Sequence, residues 1–254
     1  MNIDLYIIRN KICLKLYKSK KAKNSVFLVR IAIKNGDFMY FIFQTIISIF
    51  THLNTMLYLS AYVIAGIPFG YLLAKFFAGV DVRQEGSGNI GATNVLRVVK
   101  AKDPILAKKL TIATFALDAL KGVIIILIAK AFGLDDAVLW TIAVLSVMGH
   151  CFSPFLGFEG GKGVATGFGV LLIMVPIEAL IAIGVWFIAG KTLKISSISS
   201  LIGLVALVIS SYIIHPDIPI IHVHAPICII AFIIFYKHIP NIIRLFKKEE
   251  AKVV

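Results

Sequence analysis

Long apolar runs separated by short polar connections dominate this chain from Met56 onward. A helix needs roughly 20 apolar residues to cross the hydrocarbon core of a bilayer, and most of these runs approach that length. The composition agrees, because 59% of the residues are hydrophobic and only 15% are charged. Backbone polar groups in lipid must bond to one another, which favours helices. The predicted fold class is therefore all-α, a polytopic membrane protein with about seven transmembrane helices.

The predicted spans are the apolar runs themselves. They cover residues 57–78, 110–132, 137–152, 164–175, 177–189, 195–214 and 218–236. Pro176 separates the fourth run from the fifth, and proline interrupts the hydrogen-bond ladder of a helix. These two runs are predicted to be either two short spans or one broken helix.

Basic residues lie on alternate connections between the spans. One set of connections carries Arg83, Arg97, Lys100, Lys102, Lys108, Lys109, Lys162, Lys191, Lys194, Lys237, Arg244, Lys247 and Lys248. The other set carries only acids, namely Asp135, Asp136 and Asp217. Because cytoplasmic loops are enriched in Lys and Arg, the basic set is predicted to face the cytoplasm. This arrangement explains the net charge of +13 without a nucleic-acid partner.

Residues 1–55 differ from the rest of the chain. The first 35 residues hold nine Lys or Arg against the single acid Asp4. The apolar stretch 38–50 is shorter than a membrane span needs, so it is predicted to be an interfacial helix or a strained span. The chain is therefore divided into a basic extension (1–55) and a membrane domain (56–254). Our hypothesis is that the extension is a start-site artefact and that translation begins at Met56.

A glycine-rich run with one lysine follows the third span. It consists of Gly160, Gly161, Lys162 and Gly163, and a helix is predicted to begin directly after it and to include Thr166. Glycines let a backbone approach an anion closely, and the N-terminus of a helix attracts negative charge. The run therefore favours phosphate binding, although the absence of Ser or Thr after Lys162 excludes a Walker A loop. The alternative is a plain glycine turn with a lysine that reaches the membrane surface.

Two further polar clusters lie on the same predicted face of the membrane. The loop between residues 85 and 97 offers hydrogen-bonding groups and one guanidinium, on Ser87, Asn89, Thr93, Asn94 and Arg97. Near the C-terminus, His238, Asn241 and Arg244 recur every three residues, so they share one face of a helix predicted to begin near Pro240. Each cluster suits an anion, although a polar loop and a basic membrane edge are the simpler alternatives.

Other polar residues are predicted to be structural. Asp118 and Lys121 lie three residues apart inside a span, where they are expected to form an ion pair. His215, His222 and His224 are predicted to face the opposite side of the membrane from the anion loops, and no metal or other cofactor is predicted. The cysteines lack metal or disulfide spacing and are expected to pack in the interior; they are Cys13, Cys151 and Cys228.

Three segments of this sequence resemble the signature segments of a known family. They are SGNIGATN from Ser87 to Asn94 with Arg97 after it, GGKGVAT from Gly160 to Thr166, and His238 and Asn241 followed by Arg244. The chain from residue 56 to residue 250 resembles the bacterial integral-membrane acyl-phosphate:glycerol-3-phosphate acyltransferases. It departs from the family at two positions: Pro240 is atypical, and the family usually has a glycine where Lys248 stands. The family's C-terminal acid corresponds to Glu250. The sequence assigns no role to Glu249 or Glu250.

The resemblance implies an enzyme of phospholipid biosynthesis. It would transfer a fatty acyl group from acyl phosphate to the 1-hydroxyl of glycerol 3-phosphate, giving lysophosphatidic acid and phosphate. The implied partners are these two substrates, membrane lipids and a soluble enzyme that produces the acyl phosphate. No obvious carboxylate is placed as a base, so either the phosphate of the donor or His238 is expected to take the hydroxyl proton.

The resemblance also implies roles for individual residues. Catalytic roles fall on Ser87, Arg97, Lys162, His238 and Asn241. Substrate-binding roles fall on Asn89, Thr93, Asn94, Gly160, Gly161, Gly163, Thr166 and Arg244. The glycine run and Thr166 would hold the acyl phosphate, whereas Ser87, Arg97 and the C-terminal cluster would hold glycerol 3-phosphate, and Lys162 would serve one pocket or bridge both.

Two functions of other classes remain as alternatives. Broken helices with glycine-rich ends also line transport sites, so a transporter of phosphate or an organic phosphate is the first alternative. The second is a membrane assembly subunit that binds lipid headgroups. Acyltransferases with an HxxxxD box are excluded, because an apolar residue stands five positions after each of the six histidines.

Overall fold

A computed structural model describes residues 37–252 of the chain. All regular elements in this range are helical, which confirms the predicted all-α fold. Residues 1–36, which hold most of the predicted basic extension, lie outside the described residues. Internal contacts separate the chain into Met1–Thr55 and Met56–Val254. The start-site hypothesis for the extension stays a prediction.

Ten α-helices and one short 3-10 turn, Pro154–Leu156, make up the described chain. The α-helices are α1 (Asp37–Thr51), α2 (Leu53–Gly66), α3 (Phe69–Ala78), α4 (Ala92–Lys100), α5 (Pro104–Ala131), α6 (Asp136–Cys151), α7 (Val164–Met174), α8 (Pro176–Leu193), α9 (Ser196–Ile214) and α10 (Ala225–Phe246).

Six helical segments in the described range are long and apolar enough to cross a membrane. They are Leu53–Ala78, Pro104–Ala131, Asp136–Leu156, Pro176–Leu193, Ser196–Ile214 and Ala225–Phe246. The fourth of the seven predicted spans, at 164–175, is not among them; it is the helix α7, which has 11 residues. At 1.5 Å per residue it extends roughly 16 Å, about half of the hydrocarbon core. Pro176 ends it, as the sequence predicted, and begins α8.

The first span is broken where the sequence predicted one continuous run. It consists of α2 and α3, which are separated at Ile67 and Pro68. Proline has no backbone N–H and disfavours helical geometry in the residue before it, so a break at this position is expected. The break leaves the Ile67 carbonyl oxygen available, and it accepts a hydrogen bond of 3.1 Å from Nζ of Lys121.

The helix α5 is the central support of the site. Asp103 caps its N-terminus by accepting hydrogen bonds from the backbone N–H groups of Ile105 and Leu106, each 2.9 Å long. Its flanks pack against α3, α4, α6 and α7. The contact with α7 is close because Gly169 lies against the backbone of Ala119, where a Cβ atom would overlap it. The start of α7, and the glycine run before it, are thereby fixed relative to α5.

Large apolar side chains lie on the outside of the helices as well as between them. Phe76 is 83% exposed, and Ile112 and Ile213 are 70% and 72% exposed. Such exposure is costly in water but suits contact with lipid. The interior is also apolar, with Ile126, Ile142 and Ile230 among its fully buried side chains.

Two sequence-based expectations need correction. The helix that carries His238 does not begin near Pro240, because Pro240 lies inside α10. The long apolar run before the proline already forms the helix, and neighbouring packing allows a membrane helix to tolerate one lost hydrogen bond. Cys151 is buried as expected, but Cys228 is exposed.

The chain turns back after α10. Lys248 adopts a left-handed conformation with a φ of 60°, which explains why a glycine suits this position in the family that the sequence resembles. The N–H of Glu249 then donates a hydrogen bond of 2.8 Å to the Arg244 carbonyl oxygen. This turn brings Glu250 back toward α9 and α10.

Candidate active site

The three polar clusters predicted from the sequence line one cavity of about 330 Å³. The predicted residues in its lining are Ser87, Asn89, Thr93, Asn94, Arg97, Lys162, Gly163, His238, Asn241 and Arg244. Clusters more than 60 residues apart in the chain therefore meet in space, since the first ends at Arg97 and the second begins near Lys162 only after α5 and α6 have passed. Gly160, Gly161 and Thr166 are not part of its lining.

The loop before α4 is organised by the side chain of Asn94. Its Oδ1 atom accepts a hydrogen bond of 2.8 Å from the N–H of Ser87. Its Nδ2 atom donates to the carbonyl oxygens of Val82, Glu85 and Asn89, at 2.9, 3.1 and 2.9 Å. The amide is thus fully used by the backbone. Asn94 therefore shapes the loop that presents Ser87, and the substrate contact that the resemblance implies for Asn94 stays a prediction.

Asn89 and Thr93 also make contacts within the protein. Oδ1 of Asn89 accepts a hydrogen bond of 2.9 Å from the N–H of Gly91, which fixes the turn before α4. The hydroxyl of Thr93 lies 3.1 Å from the hydroxyl of Ser196, so it connects α4 to the start of α9. Arg97, on the same helix, has no such partner in the described part of the chain, and its guanidinium is available to the cavity.

The glycine run is pressed against the end of α6. The N–H of Gly161 donates a hydrogen bond of 3.0 Å to the His150 carbonyl oxygen. A Cβ atom on Gly160 would overlap that carbonyl oxygen, and one on Gly161 would overlap the imidazole of His150. Gly163, with a φ of 82°, is the residue from which α7 begins. Glycine is therefore required at these positions by close approach and by a left-handed turn.

Lys162 projects a cation into the cavity from this turn. Burial lowers the pKa of its ammonium to about 8, and although Glu250 opposes the shift, Arg244 and Arg97 add to it. The electrostatic influence of both arginines on Lys162 means that three cations from three segments share one space. Such a cluster is costly without an anion, and it favours a ligand that carries phosphate.

Thr166 holds α7 to α5. Its fully buried hydroxyl donates a hydrogen bond of 2.7 Å to the Asp118 carbonyl oxygen. This contact uses the donor of the Thr166 hydroxyl within the protein, and the substrate contact that the resemblance implies for Thr166 stays a prediction. Asp118 and Lys121 form the predicted ion pair, at 2.9 Å, and both are 2% exposed.

On α10, each of the three predicted side chains has a defined partner. Nδ1 of His238 donates a hydrogen bond of 2.7 Å to the Ile234 carbonyl oxygen, which leaves Nε2 as an acceptor in the neutral ring. Asn241 donates to Oε1 of Glu250 at 2.6 Å, and Arg244 donates to Oε2 at 2.8 Å. Glu250 therefore holds Asn241 and Arg244 in place, whereas His238 is held by the backbone of α10.

Glu250, to which the sequence assigned no role, joins two helices. In addition to its two partners on α10, its Oε1 atom accepts a hydrogen bond of 2.7 Å from the Ser197 hydroxyl on α9. Partial burial disfavours its charge, but the hydrogen bonds from Arg244, Ser197 and Asn241 outweigh this and hold the pKa of Glu250 below its usual value. Glu250 is therefore ionised at neutral pH.

The cavity also contains residues that the sequence analysis missed. They are Phe115, Asp118, His150, Trp186, Ser196, Ser197, Ser200, Glu249 and Glu250. The serines carried a signal, because four of the five residues from Ser196 to Ser200 in an otherwise apolar helix are serines. His150 and Trp186 are isolated in apolar runs, where nothing in the sequence separates them from packing residues. No group of His, Cys, Asp and Glu within residues 37–252 is arranged to hold a metal ion.

A second, smaller cavity of about 60 Å³ adjoins the first. Apart from Ser200, its lining consists of apolar residues of α7, α8, α9 and α10. Val164, Trp186 and Ser200 belong to the linings of both cavities. A polar chamber and an apolar one therefore meet at these three residues.

Comparison with known proteins gives a consistent result. The family model described as glycerol-3-phosphate acyltransferase matches residues 55–248. The glycerol-3-phosphate acyltransferase of Nitratiruptor sp. is 61% identical over 204 residues, which are 80% of this chain and 98% of the relative. The glycerol-3-phosphate acyltransferase of Wolinella succinogenes is 60% identical over 201 residues, which are 79% of this chain and 97% of the relative.

Solved structures agree with this result. One of them is the crystal structure of PlsY (YgiH), an integral membrane glycerol 3-phosphate acyltransferase, in its glycerol 3-phosphate form. It superimposes on this chain with a TM-score of 0.69 at 37% sequence identity, and the match covers 79% of this chain and 96% of that one. The lysophosphatidic acid form of the same protein superimposes with a TM-score of 0.68 at 36% sequence identity. This match covers 79% of this chain and 95% of that one. By its sequence and by the arrangement of its helices, this chain belongs to the family of integral-membrane glycerol-3-phosphate acyltransferases.

Proposed function

We propose that this glycerol-3-phosphate acyltransferase takes its acyl group from an acyl phosphate and releases lysophosphatidic acid and inorganic phosphate. The observation that carries the proposal is the single cavity into which Arg97, Lys162 and Arg244 project from three different segments. Acyl phosphate and glycerol 3-phosphate each bring a phosphate group to the reaction. Three cations in one chamber suit two phosphates better than one.

The acyl phosphate binds at the glycine run formed by residues 160–163. Lys162 supplies the charge, and the backbone that leads through Gly163 into α7 supplies N–H groups and the positive end of a helix. Gly160 and Gly161 shape this run from behind. The electrostatic coupling of Lys162 to both Arg97 and Arg244 supports a position between the two phosphates rather than within one pocket.

Glycerol 3-phosphate binds between the first loop and α10. Arg97 and Arg244 hold its phosphate, while Ser87, His238 and Asn241 orient its hydroxyl groups. Oδ1 of Asn241 supports this assignment, because it is buried and lacks a hydrogen-bond partner within the described residues. Buried acceptors rarely remain unpaired, so this atom suits a hydroxyl of the substrate.

The reaction needs little more than positioning and charge neutralisation. The 1-hydroxyl oxygen attacks the acyl carbonyl carbon, a C–O bond forms, and the tetrahedral oxyanion collapses by breaking the bond to the phosphate oxygen. The hydroxyl proton passes to an oxygen of the departing phosphate or to Nε2 of His238. A His238→Gln variant distinguishes these routes, because near-normal kcat would exclude His238 as the base.

The first methylene groups of the acyl tail enter the apolar cavity of about 60 Å³ between α7, α8, α9 and α10. This cavity meets the polar chamber at Val164, Trp186 and Ser200, so a carbonyl at the junction would have its phosphate on one side and its chain on the other. Burial of the chain contributes roughly 0.8 kcal/mol per CH₂. We place the polar chamber on the cytoplasmic side of the inner membrane, because the basic connections lie on that side by the positive-inside rule.

The donor is tested with purified enzyme and labelled glycerol 3-phosphate, given either palmitoyl phosphate or palmitoyl-CoA. We expect labelled lysophosphatidic acid from palmitoyl phosphate and background levels from palmitoyl-CoA. Product from palmitoyl-CoA alone would overturn the proposed donor. Accumulation of unacylated glycerol 3-phosphate inside proteoliposomes would instead support transport, which the family membership disfavours.

A further inference from the structure

The side chain of His150 lies behind the glycine run, in contact with a buried ion pair. His150 is 4% exposed, and it is the next-to-last residue of α6. Its Nδ1 atom lies 2.8 Å from Nζ of Lys121. Lys121 in turn bonds to Asp118, so three ionisable side chains from two helices form one connected cluster at the wall of the cavity.

The contacts of Lys121 determine which nitrogen of His150 carries the proton. An ammonium group has three N–H donors and no acceptor. Two of these donors bond to acceptors that cannot donate, the Asp118 carboxylate at 2.9 Å and the Ile67 carbonyl oxygen at 3.1 Å. The third points to Nδ1 of His150. Nδ1 must then accept, so the neutral imidazole carries its proton on Nε2.

An ammonium form of Lys121 is consistent with its surroundings. Asp118 and Lys121 are both almost completely buried, and a paired carboxylate and ammonium cost less there than either charge alone. The Asp118 carboxylate does not replace Lys121 as the partner of the ring, because its Oδ1 atom is 3.6 Å from Nδ1 of His150. The lysine therefore stands between the acid and the imidazole.

The opposite edge of the imidazole faces the glycine run. A Cβ atom built on Gly161 would meet Nε2 of His150 first and the adjacent ring carbons next. His150 also contributes to the lining of the cavity. Nε2 has no hydrogen-bond partner anywhere in the described residues. A polarised N–H group is thus held at the loop where the acyl phosphate is proposed to bind.

We propose that His150 is a hydrogen-bond donor to the acyl phosphate, fixed as the Nε2–H tautomer by Lys121 and Asp118. The proposal rests on the proposed function of the glycine run. His150 would touch an anionic oxygen of the donor substrate, whereas Lys121 and Asp118 act through it and are positioning residues. Glycine at 161 serves the same arrangement, since any side chain there would displace the ring.

Two substitutions separate this role from simple packing. His150→Asn places an amide oxygen near the position of Nδ1, so it keeps an acceptor for Lys121 but loses the donor at Nε2. His150→Gln does the reverse, because its longer side chain places an amide N–H near the position of Nε2. We expect His150→Asn to raise the KM for palmitoyl phosphate roughly tenfold with an unchanged KM for glycerol 3-phosphate, and His150→Gln to raise it less than about threefold.

The opposite order, with His150→Gln impaired and His150→Asn normal, would overturn the proposal and assign His150 to packing. An equal rise of both KM values would also overturn it. Because both variants carry the risk of misfolding, the ¹⁵N shifts of histidine-labelled wild-type protein in detergent provide an independent measurement. We expect a protonated Nε2 at His150, assigned by the loss of its signal in His150→Asn; a protonated Nδ1 would contradict the proposal.

This test is distinguishable from the test of the proposed function. Wild-type enzyme that does not use palmitoyl phosphate would refute the proposed donor before any variant is compared. Wild-type enzyme that uses it, together with His150→Asn of unchanged KM for palmitoyl phosphate, would refute only the role of His150.

Discussion

Arg244 donates a hydrogen bond of 2.8 Å from Nε to Oε2 of Glu250, across the turn that ends α10. The other carboxylate oxygen accepts from Asn241 and Ser197. One acid therefore sets the positions of two side chains assigned to glycerol 3-phosphate and ties them to α9. The left-handed conformation of Lys248 makes this return of the chain possible.

Removal of the Glu250 charge should weaken the binding of glycerol 3-phosphate. Glu250→Gln keeps the shape of the side chain but loses the charge that holds Arg244, and charge-assisted hydrogen bonds contribute about 1.5–3 kcal/mol. We expect the KM for glycerol 3-phosphate to rise at least roughly tenfold, and the KM for palmitoyl phosphate to change less. Asp217→Asn, an exposed acid outside the cavity lining, is the matched control and should leave both constants unchanged. Equal effects of the two variants would contradict the role of Glu250.

The depressed pKa of Lys162 predicts a basic limb in the pH profile. Its ammonium, with a pKa of about 8, is charged below that pH and loses its proton above it. Because kcat/KM reports the free enzyme, we expect this parameter for palmitoyl phosphate to fall as the pH rises through about 8. Arginine keeps its charge over this range, so Lys162→Arg should remove the limb even if its maximum rate is lower. A limb that remains unchanged in Lys162→Arg would belong to another group.

Gly161 should tolerate no side chain. A Cβ atom there would overlap the imidazole of His150, so Gly161→Ala must displace either the glycine run or the ring. We expect a loss of kcat/KM for palmitoyl phosphate of more than about tenfold. Gly184→Ala is the control, because a Cβ atom on Gly184 in α8 meets nothing within 4 Å. That variant should keep full activity and be more stable by up to about 1 kcal/mol.

Thr166 should matter for stability rather than for substrate binding. Thr166→Val removes the hydrogen bond to the Asp118 carbonyl oxygen but keeps the shape of the side chain. We expect a loss of about 1 kcal/mol in the free energy of unfolding, measured as a lower midpoint of thermal unfolding in detergent. Thr166→Ser, which keeps the hydroxyl, should lose less. A large rise in the KM for palmitoyl phosphate with unchanged stability would contradict this prediction and make Thr166 a substrate ligand.

The sequence was most informative where a local pattern determines the structure. Asp118 and Lys121 lie one helical turn apart, and they form the predicted ion pair. The three residues on α10 share a face because their spacing matches the helix, even though Pro240 does not begin it. Long apolar runs likewise predicted the membrane helices, since length and hydropathy decide that outcome.

Interactions between distant segments were not predictable in this way. Nothing near Asn94 in the sequence shows that its amide bonds to three carbonyl oxygens of the preceding loop. Nothing near Glu250 shows that it bonds to Ser197 on another helix. Nothing near His150 in the sequence indicates its proposed role either, because that role depends on contacts with Lys121 and Gly161, which belong to other segments. The sequence therefore predicted the cationic groups that line the cavity better than the residues that hold them in place.

The measurement that tests the central claim most directly is phosphate release from palmitoyl phosphate by the purified enzyme, with and without glycerol 3-phosphate, alongside Lys162→Ala. If one cavity binds both phosphates, release should require glycerol 3-phosphate, match the lysophosphatidic acid formed one to one, and fall to background in the variant. Release that is independent of glycerol 3-phosphate, or that persists at the wild-type rate in Lys162→Ala, would contradict the account.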